Sequence, residues 1–239
     1  MNNSNYLQYY ERLLSVGLNR GVSGWLRRRL DRRAQKCGQT GRHALFLPRV
    51  FELLNISLKS HRTVLDIGSG NGWAISYQDK QVRYIAVDNS AFYRDDLEAR
   101  GIEFYEADVG SMPLPVGESS IDLIILNHLI EHIYECEFLI QQLQRVLRPG
   151  GMVYIRTPNL KRVRWKFWDD YTHVRPFTPH GLDHLMHANG FKKLFILNSD
   201  HRRISLDILT KGRLRKLLFN IFFGGSEIEA GYFLRKNLD

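Results

Sequence analysis

The chain has 239 residues, 44% of them apolar and 25% charged, with a formal net charge of +9. This length and apolar share predict one well-cored domain with extensions, or at most two small domains. No apolar run approaches about 18 residues, which excludes a membrane-spanning helix, and the two cysteines, Cys37 and Cys136, are too far apart to suggest a disulfide scaffold or a metal motif.

The N-terminus, Met1-Asn2-Asn3-Ser4-Asn5, has no basic segment feeding an apolar stretch, so a cytoplasmic chain without a secretory leader is expected. Its charge is uneven. Residues 1–43 carry nine Lys/Arg against two acids, residues 44–201 carry seventeen against nineteen, and residues 202–239 carry eight against four. The basic ends suit an anionic surface such as nucleic acid, acidic lipid headgroups or a phosphorylated substrate, or are ordinary solvated faces. Residues 1–43 read as a basic helical extension and 44–239 as the main domain. In the extension, Tyr6, Tyr9, Tyr10, Leu13, Leu14 and Leu18 recur at near-helical spacing. Trp25, Leu26 and Leu30 then follow beside an arginine run. Ala44–Leu58 is expected to be helical in spite of Pro48.

An α/β pattern follows. Thr63–Ile67 and Tyr84–Asp88 read as strands that end in acids, Phe92–Arg100 as a short helix and Ile102–Ala107 as a third strand. Asp122–Asn127 is a dense apolar run suited to a sheet interior. Glu135–Leu147 is an amphipathic helix that Pro149-Gly150-Gly151 is expected to stop, and Met152–Arg156 is strand five. Thr157–Thr178 reads as a long polar loop before a helix beginning near Pro179. Phe191–Leu197 reads as strand six, 201–223 as a basic amphipathic insertion and Glu229–Arg235 as the last strand. The fold class is therefore α/β: a doubly wound, mostly parallel seven-stranded Rossmann-like sheet.

The organising stretch is Val64-Leu65-Asp66-Ile67-Gly68-Ser69-Gly70-Asn71-Gly72. It reads as a strand end, a tight turn in which glycine admits positive φ and close ligand approach, and a helix start. The glycine spacing is G-x-G-x-G, with Trp73 and Ala74 where a dinucleotide site would place its third glycine, and no Walker lysine follows. An acid at the end of strand one would repel a pyrophosphate but accept from an amine-bearing ligand. Asp88 lies 20 residues after Gly68, the distance at which a second strand delivers a carboxylate to a ribose.

With Val87-Asp88, Ala107-Asp108-Val109, Met112-Pro113-Leu114, the run Ile121 to His132 and the run Leu139 to Gly151, this stretch resembles the class I S-adenosylmethionine-dependent methyltransferases, especially their quinone-methyltransferase-like, type 11 branch. The resemblance covers about residues 60–160. It implies that Asp66, Gly68, Ser69, Gly70 and Gly72 cradle the amino-acid arm of S-adenosyl-L-methionine, and that Asp88, with Asn89 beside it, holds the ribose. It further implies that Asp108 receives the adenine amine, that Val109 and Met112 pack near the ring, and that Asn127 and His128 line the methyl-donor side.

A base near the donor methyl is sought among His128, His132, Asp169, Asp170 and His173. His128, Glu131 and His132 lack the further ligands that a metal site requires, so no metal is expected. Phe167–Thr178 mixes aromatic rings, acids, a histidine and an arginine. Its D-x-T-H-V-R-x-F-T pattern is similar to loops of methyltransferase-like proteins of polysaccharide and lipopolysaccharide assembly. That similarity implies Asp170 and His173 as an acid–base pair on an acceptor hydroxyl. The reading is an O-methyltransferase for a small-molecule or lipid-linked sugar, with peripheral contact to an acidic membrane face. Alternatives are a quinone C-methyltransferase, an RNA methyltransferase and a non-catalytic cofactor-binding scaffold.

Overall fold

The computed structural model describes residues 50, 54, 62–72, 82–199 and 226–234. The helices expected in residues 1–43, all but two residues of the 44–58 segment, and the insertion expected at 201–223 lie outside the described residues.

Among the described residues seven strands form one sheet: β1 (Arg62–Ile67), β2 (Val82–Asp88), β3 (Glu103–Glu106), β4 (Ile121–Asn127), β5 (Leu147–Pro158), β6 (Phe191–Ser199) and β7 (Glu227–Leu234). Their spatial order is β3-β2-β1-β4-β5-β7-β6. The pairs from β3 to β5 are all parallel, and β7 runs antiparallel between β5 and β6. Strand order reverses between β1 and β4. That reversal opens a crevice at their carboxyl ends, where sheets of this kind bind ligands.

Alternation along the strands builds two cores. Leu65 and Ile67 of β1, Ile124 and Leu126 of β4 and Val153 and Ile155 of β5 face one side. Val64, Leu123, Ile125 and Tyr154 face the other. The first side is covered by α2 (Cys136–Val146) and α4 (Pro179–Ala188), and the second by α1 (Arg94–Ala99), which contributes Leu97. Cys136, Leu139, Ile140, Leu143 and Val146 are buried at helical spacing on α2. Each of the larger aliphatic side chains contributes about 1.5–3 kcal/mol by leaving water. Thr178 caps α4 by accepting from the Gly181 amide, and Pro179 fills the first turn, where its missing N–H costs nothing.

Two expected boundaries are corrected. Pro149-Gly150-Gly151 does not stop α2, because Leu147 is already extended and pairs with Ile121. Met152 pairs with Leu123, so residues 148–151 bulge out within the strand, with Gly150 at φ +78°. Thr157–Thr178 is not an open loop. β5 runs on to Pro158, Asn159 caps the short α3 (Leu160–Val163), and a 3-10 segment follows over Arg164–Asp169. The excursion is closed at its base, where Asn159 bridges Phe177 and the Leu160 amide donates to the Phe177 carbonyl at 2.8 Å.

Candidate active site

The carboxyl end of β1 runs into the glycine turn. The Gly68 amide donates to the Val87 carbonyl at 2.8 Å, which ties the turn to β2. Gly68 has φ +71°, a conformation that favours glycine, and a Cβ there would also press on the Leu129 Cδ1 at 2.9 Å. The Gly70 amide donates to Asp88 Oδ2 at 2.8 Å, and the Ser90 amide donates to Oδ1 at 3.1 Å. Asp88 is therefore oriented by the backbone. Burial raises its pKa, with those amides acting in the opposite direction. Asp66 is buried deeper, and desolvation together with the Asp88 charge pushes it up to about 8. Asp66 Oδ2, Ser69 Oγ and Asn127 Oδ1 are buried polar atoms with no hydrogen-bond partner among the described residues. Three such atoms in one crevice are a donor and acceptor set for a polar ligand. On the far side, Arg100 donates from Nη1 to the Asn71 carbonyl and from Nη2 to the Gly72 carbonyl, at 3.0 and 3.2 Å.

The remaining cofactor candidates are spread along the rim. Asn89 is exposed. Asp108, also exposed, accepts from the Gly110 amide and the Ser111 hydroxyl and so shapes its own turn. Val109 is buried in the core, while Met112 is 50% exposed.

β4 ends in Asn127 and then His128, a non-glycine residue at φ +53°. His128 Nδ1 lies 3.1 Å from Glu131 Oε1, and Nε2 lies 3.5 Å from Glu227 Oε1. Burial alone would lower its pKa, but the two carboxylates outweigh burial and hold it up at about 9. Glu131 is correspondingly lowered: desolvation, which would raise it, is outweighed by His128. Glu227 also pairs with the fully buried Arg156 guanidinium, and Thr157 donates its hydroxyl to Glu131 Oε2 at 2.9 Å. These residues form a compensated charge cluster beneath the crevice. His128 is an imidazolium at neutral pH there, a poor starting point for a proton acceptor.

The excursion after β5 brings the second pair together. The Val174 and Arg175 amides donate to the Glu131 carbonyl at 2.9 and 3.0 Å, which pins the loop to the turn after β4. His173 Nδ1 lies 2.6 Å from the Phe167 carbonyl, and its ring stacks on Phe167 with centroids 4.5 Å apart. A carbonyl only accepts, so Nδ1 carries the proton and Nε2 keeps its lone pair in the neutral ring. That Nε2 is 4.0 Å from Asp170 Oδ2. Asp170 is held below the usual carboxylate range: burial would raise it, but hydrogen bonds from the Thr172 hydroxyl and amide outweigh this. His132 Nδ1 reaches the Thr172 carbonyl and hydroxyl at 3.1 and 3.0 Å, and the His132 and His173 rings lie 4.8 Å apart. Burial lowers the His132 pKa.

Asp170 and His173 are thus neighbours on one pinned loop, and Asp169 is exposed beside them. Glu131, His132 and His173 each place one potential ligand atom within 4.8 Å of the others. Both Glu131 oxygens are already engaged by His128 and Thr157, so this carboxylate acts as a counter-ion. Sequence reasoning missed Thr172 as the link between Asp170 and His132. It also missed Arg156 and Glu227, whose only sequence signal is charge inside otherwise apolar strands.

The profile of the methyltransferase-domain family matches residues 27–194. Among curated relatives, malonyl-[acyl-carrier protein] O-methyltransferase 1 of Coxiella burnetii is 27% identical over 132 residues, covering 54% of this chain and 46% of that protein. A probable S-adenosylmethionine-dependent methyltransferase of Mycobacterium tuberculosis is 29% identical over 101 residues, 41% of this chain and 36% of its own length. The chain thus spans less than half the length of these relatives. Among solved structures, a SAM-dependent methyltransferase from Archaeoglobus fulgidus superposes with a TM-score of 0.60 at 18% identity, covering 81% of this chain and 95% of that one. The [4+2]-cyclase SpnF superposes at 0.58 with 18% identity, over 78% of this chain and 80% of its own. These likenesses establish the fold.

Proposed function

The chain belongs to the methyltransferase-domain family, and from that premise we propose that it methylates a hydroxyl oxygen of a small or lipid-linked, sugar-like acceptor, with S-adenosylmethionine as donor. The crevice fits that donor. Asp66, Ser69 and the Gly68–Gly72 turn would take its amino-acid arm, Asp88 its ribose hydroxyls, Asp108, Val109 and Met112 its adenine, and Asn127 the donor side. Asp66, whose carboxyl is held protonated by burial, gains most from a cationic amine, which would return it to the carboxylate form. Bound there, S-adenosylmethionine supplies an electrophilic methyl group on a sulfonium.

The observation that carries the acceptor half is His173. Its Nδ1 proton is committed to the Phe167 carbonyl, so Nε2 is the atom that takes the acceptor's hydroxyl proton. Asp170, ionised and 4.0 Å away, steadies the imidazolium that forms. Thr172 fixes Asp170, and the Glu131 carbonyl fixes the loop. The polar, ring-bearing surroundings suit a sugar, whose hydroxyls need partners and whose apolar faces pack on aromatic rings.

The test is a pair of measurements on His173→Asn. Cofactor affinity by calorimetry should stay within about twofold of the parent. Transfer of labelled methyl to a polar, glycan-bearing fraction should fall by about 100- to 10,000-fold. Undiminished transfer would remove His173 from the chemistry, and label on a ring carbon of an apolar lipid would replace the hydroxyl acceptor.

A further inference from the structure

The excursion that holds the candidate base also carries a surface that methyl transfer does not use. Lys161, Arg162, Arg164 and Lys166 lie within six residues, and all four are exposed. Among the described residues none of them forms an ion pair, although the same chain pairs Arg83, Arg94, Arg148 and Lys193 with acids. Trp165 sits amid these cations and is 85% exposed, and Trp168 is 49% exposed. The two indoles stand three residues apart in the 3-10 segment, a spacing that stacks side chains on one face. α3 runs directly into this segment, so Lys161 and Arg162 belong to the same knob. Phe167, fully buried and stacked on His173, roots the knob in the site. Arg164 at the junction has φ +53° and ψ −132°, a conformation that costs a non-glycine residue energy and persists only where the surroundings impose it.

We propose that residues 161–168 form a docking knob for an anionic lipid surface, with the indoles entering the headgroup layer and the four cations pairing with lipid phosphates. Charge complementarity carries the choice of partner. Four unpaired cations draw the knob to a negative leaflet, and tryptophan is the side chain that favours the boundary between water and hydrocarbon. The knob is compact. Its 3-10 segment extends only ~12 Å, shorter than the groove with which proteins track a nucleic acid strand. It rises from the carboxyl-end rim, so docking would bring the acceptor loop to the membrane surface, where a lipid-linked acceptor is found. That purpose rests on the methyl-transfer reading, but adsorption itself does not.

The experiment is flotation of the full chain with phosphatidylcholine vesicles, with and without phosphatidylglycerol, in low and high salt. The chain should float with the anionic vesicles, and high salt should weaken that binding to the part the indoles supply. A Lys161→Gln/Arg162→Gln variant should bind about tenfold or more weakly, given the contribution of each cation near a charged bilayer. Trp165→Ser should weaken binding at high salt as well, where only the indole contribution remains. All three positions are exposed, so cofactor binding and thermal stability serve as controls that should not move. Equal flotation of parent and variants would overturn the proposal, and so would capture by single-stranded RNA in preference to vesicles. Flotation that depends on these residues in a chain that transfers no methyl group would uphold the docking and sink the enzyme reading alone.

Discussion

Two sets of buried or half-buried carboxylates border the crevice, and they are treated in opposite ways. Asp66 and Asp88, at the ends of β1 and β2, have no cationic partner among the described residues, and burial raises the pKa of both. Glu131 and Glu227, beneath the ends of β4 and β5, are matched by His128 and Arg156. The first pair leaves acceptor capacity for something outside the chain. The second spends its charge inside the fold, on His128 and Arg156. Burial of an acid alone would not have distinguished them, since desolvation penalises both sets. The difference lies in whether the protein brings its own cation.

Breaking the compensated set should have the largest effect on stability. Glu227→Ala leaves Arg156, and the imidazolium of His128, without that counter-ion, and urea melts should show a loss of about 3–5 kcal/mol. A loss below about 1 kcal/mol would mean that the cluster does not hold the fold together.

The uncompensated set should respond in the opposite direction. Asp66→Asn should weaken cofactor binding by about 10- to 150-fold, the loss expected for a hydrogen bond to a charged group. It should also stabilise the free protein near pH 8. An acid whose pKa is raised on folding binds more protons folded than unfolded, so its contribution declines as pH climbs from about 4 to about 8, and asparagine removes that decline. Lower stability of Asp66→Asn at pH 8 would show that the carboxyl is internally satisfied.

The same raised pKa sharpens the contrast through binding. At pH 7 Asp66 is mostly protonated, and a ligand ammonium requires the carboxylate, so binding should release close to one proton. Affinity for the cofactor should therefore rise by up to about tenfold from pH 6 to pH 7 and level off above pH 8. Calorimetry in buffers of different ionisation enthalpy counts the proton directly. A pH-independent affinity would remove Asp66 from the amine.

The sequence made the first set legible and hid the second. Asp66 and Asp88 stand at the ends of apolar runs beside a glycine turn, and local spacing is enough to place them. Arg156, Glu227 and Glu131 are separated by up to 96 positions, and no period joins them. They meet because β7 inserts antiparallel between β5 and β6, a pairing that strand patterns do not encode. The acceptor loop was half legible. Its residue types marked it as chemical, while the clamp at Asn159 and Phe177 and the anchor on the Glu131 carbonyl depend on backbone geometry. Pro149-Gly150-Gly151 was misread for a related reason. The dipeptide signals that end helices also accommodate a bulge, and here the neighbouring strand decided between the two.

Thr172 offers the finest probe of the contrast, because its hydrogen bonds adjust the half-buried carboxylate of Asp170. Its hydroxyl donates to Asp170 Oδ1 at 2.6 Å and faces His132 Nδ1 at 3.0 Å. Thr172→Val keeps the shape and the backbone amide bond to Asp170 but deletes the hydroxyl. Asp170 should then titrate nearer its ordinary range. A carboxylate with a depressed folded pKa stabilises the fold above its unfolded pKa, and that gain is lost as pH falls through the folded value, so the variant should be less stable at neutral pH and match the parent in acid. Solvent at this partly open site limits the difference to about 1 kcal/mol. The methyl-transfer rate should fall only severalfold while cofactor affinity holds, because Nε2 of His173 keeps its tautomer through Phe167 and loses only part of the field that steadies its charged form. A collapse of activity as deep as that of His173→Asn would instead make Thr172 itself a contact of the acceptor.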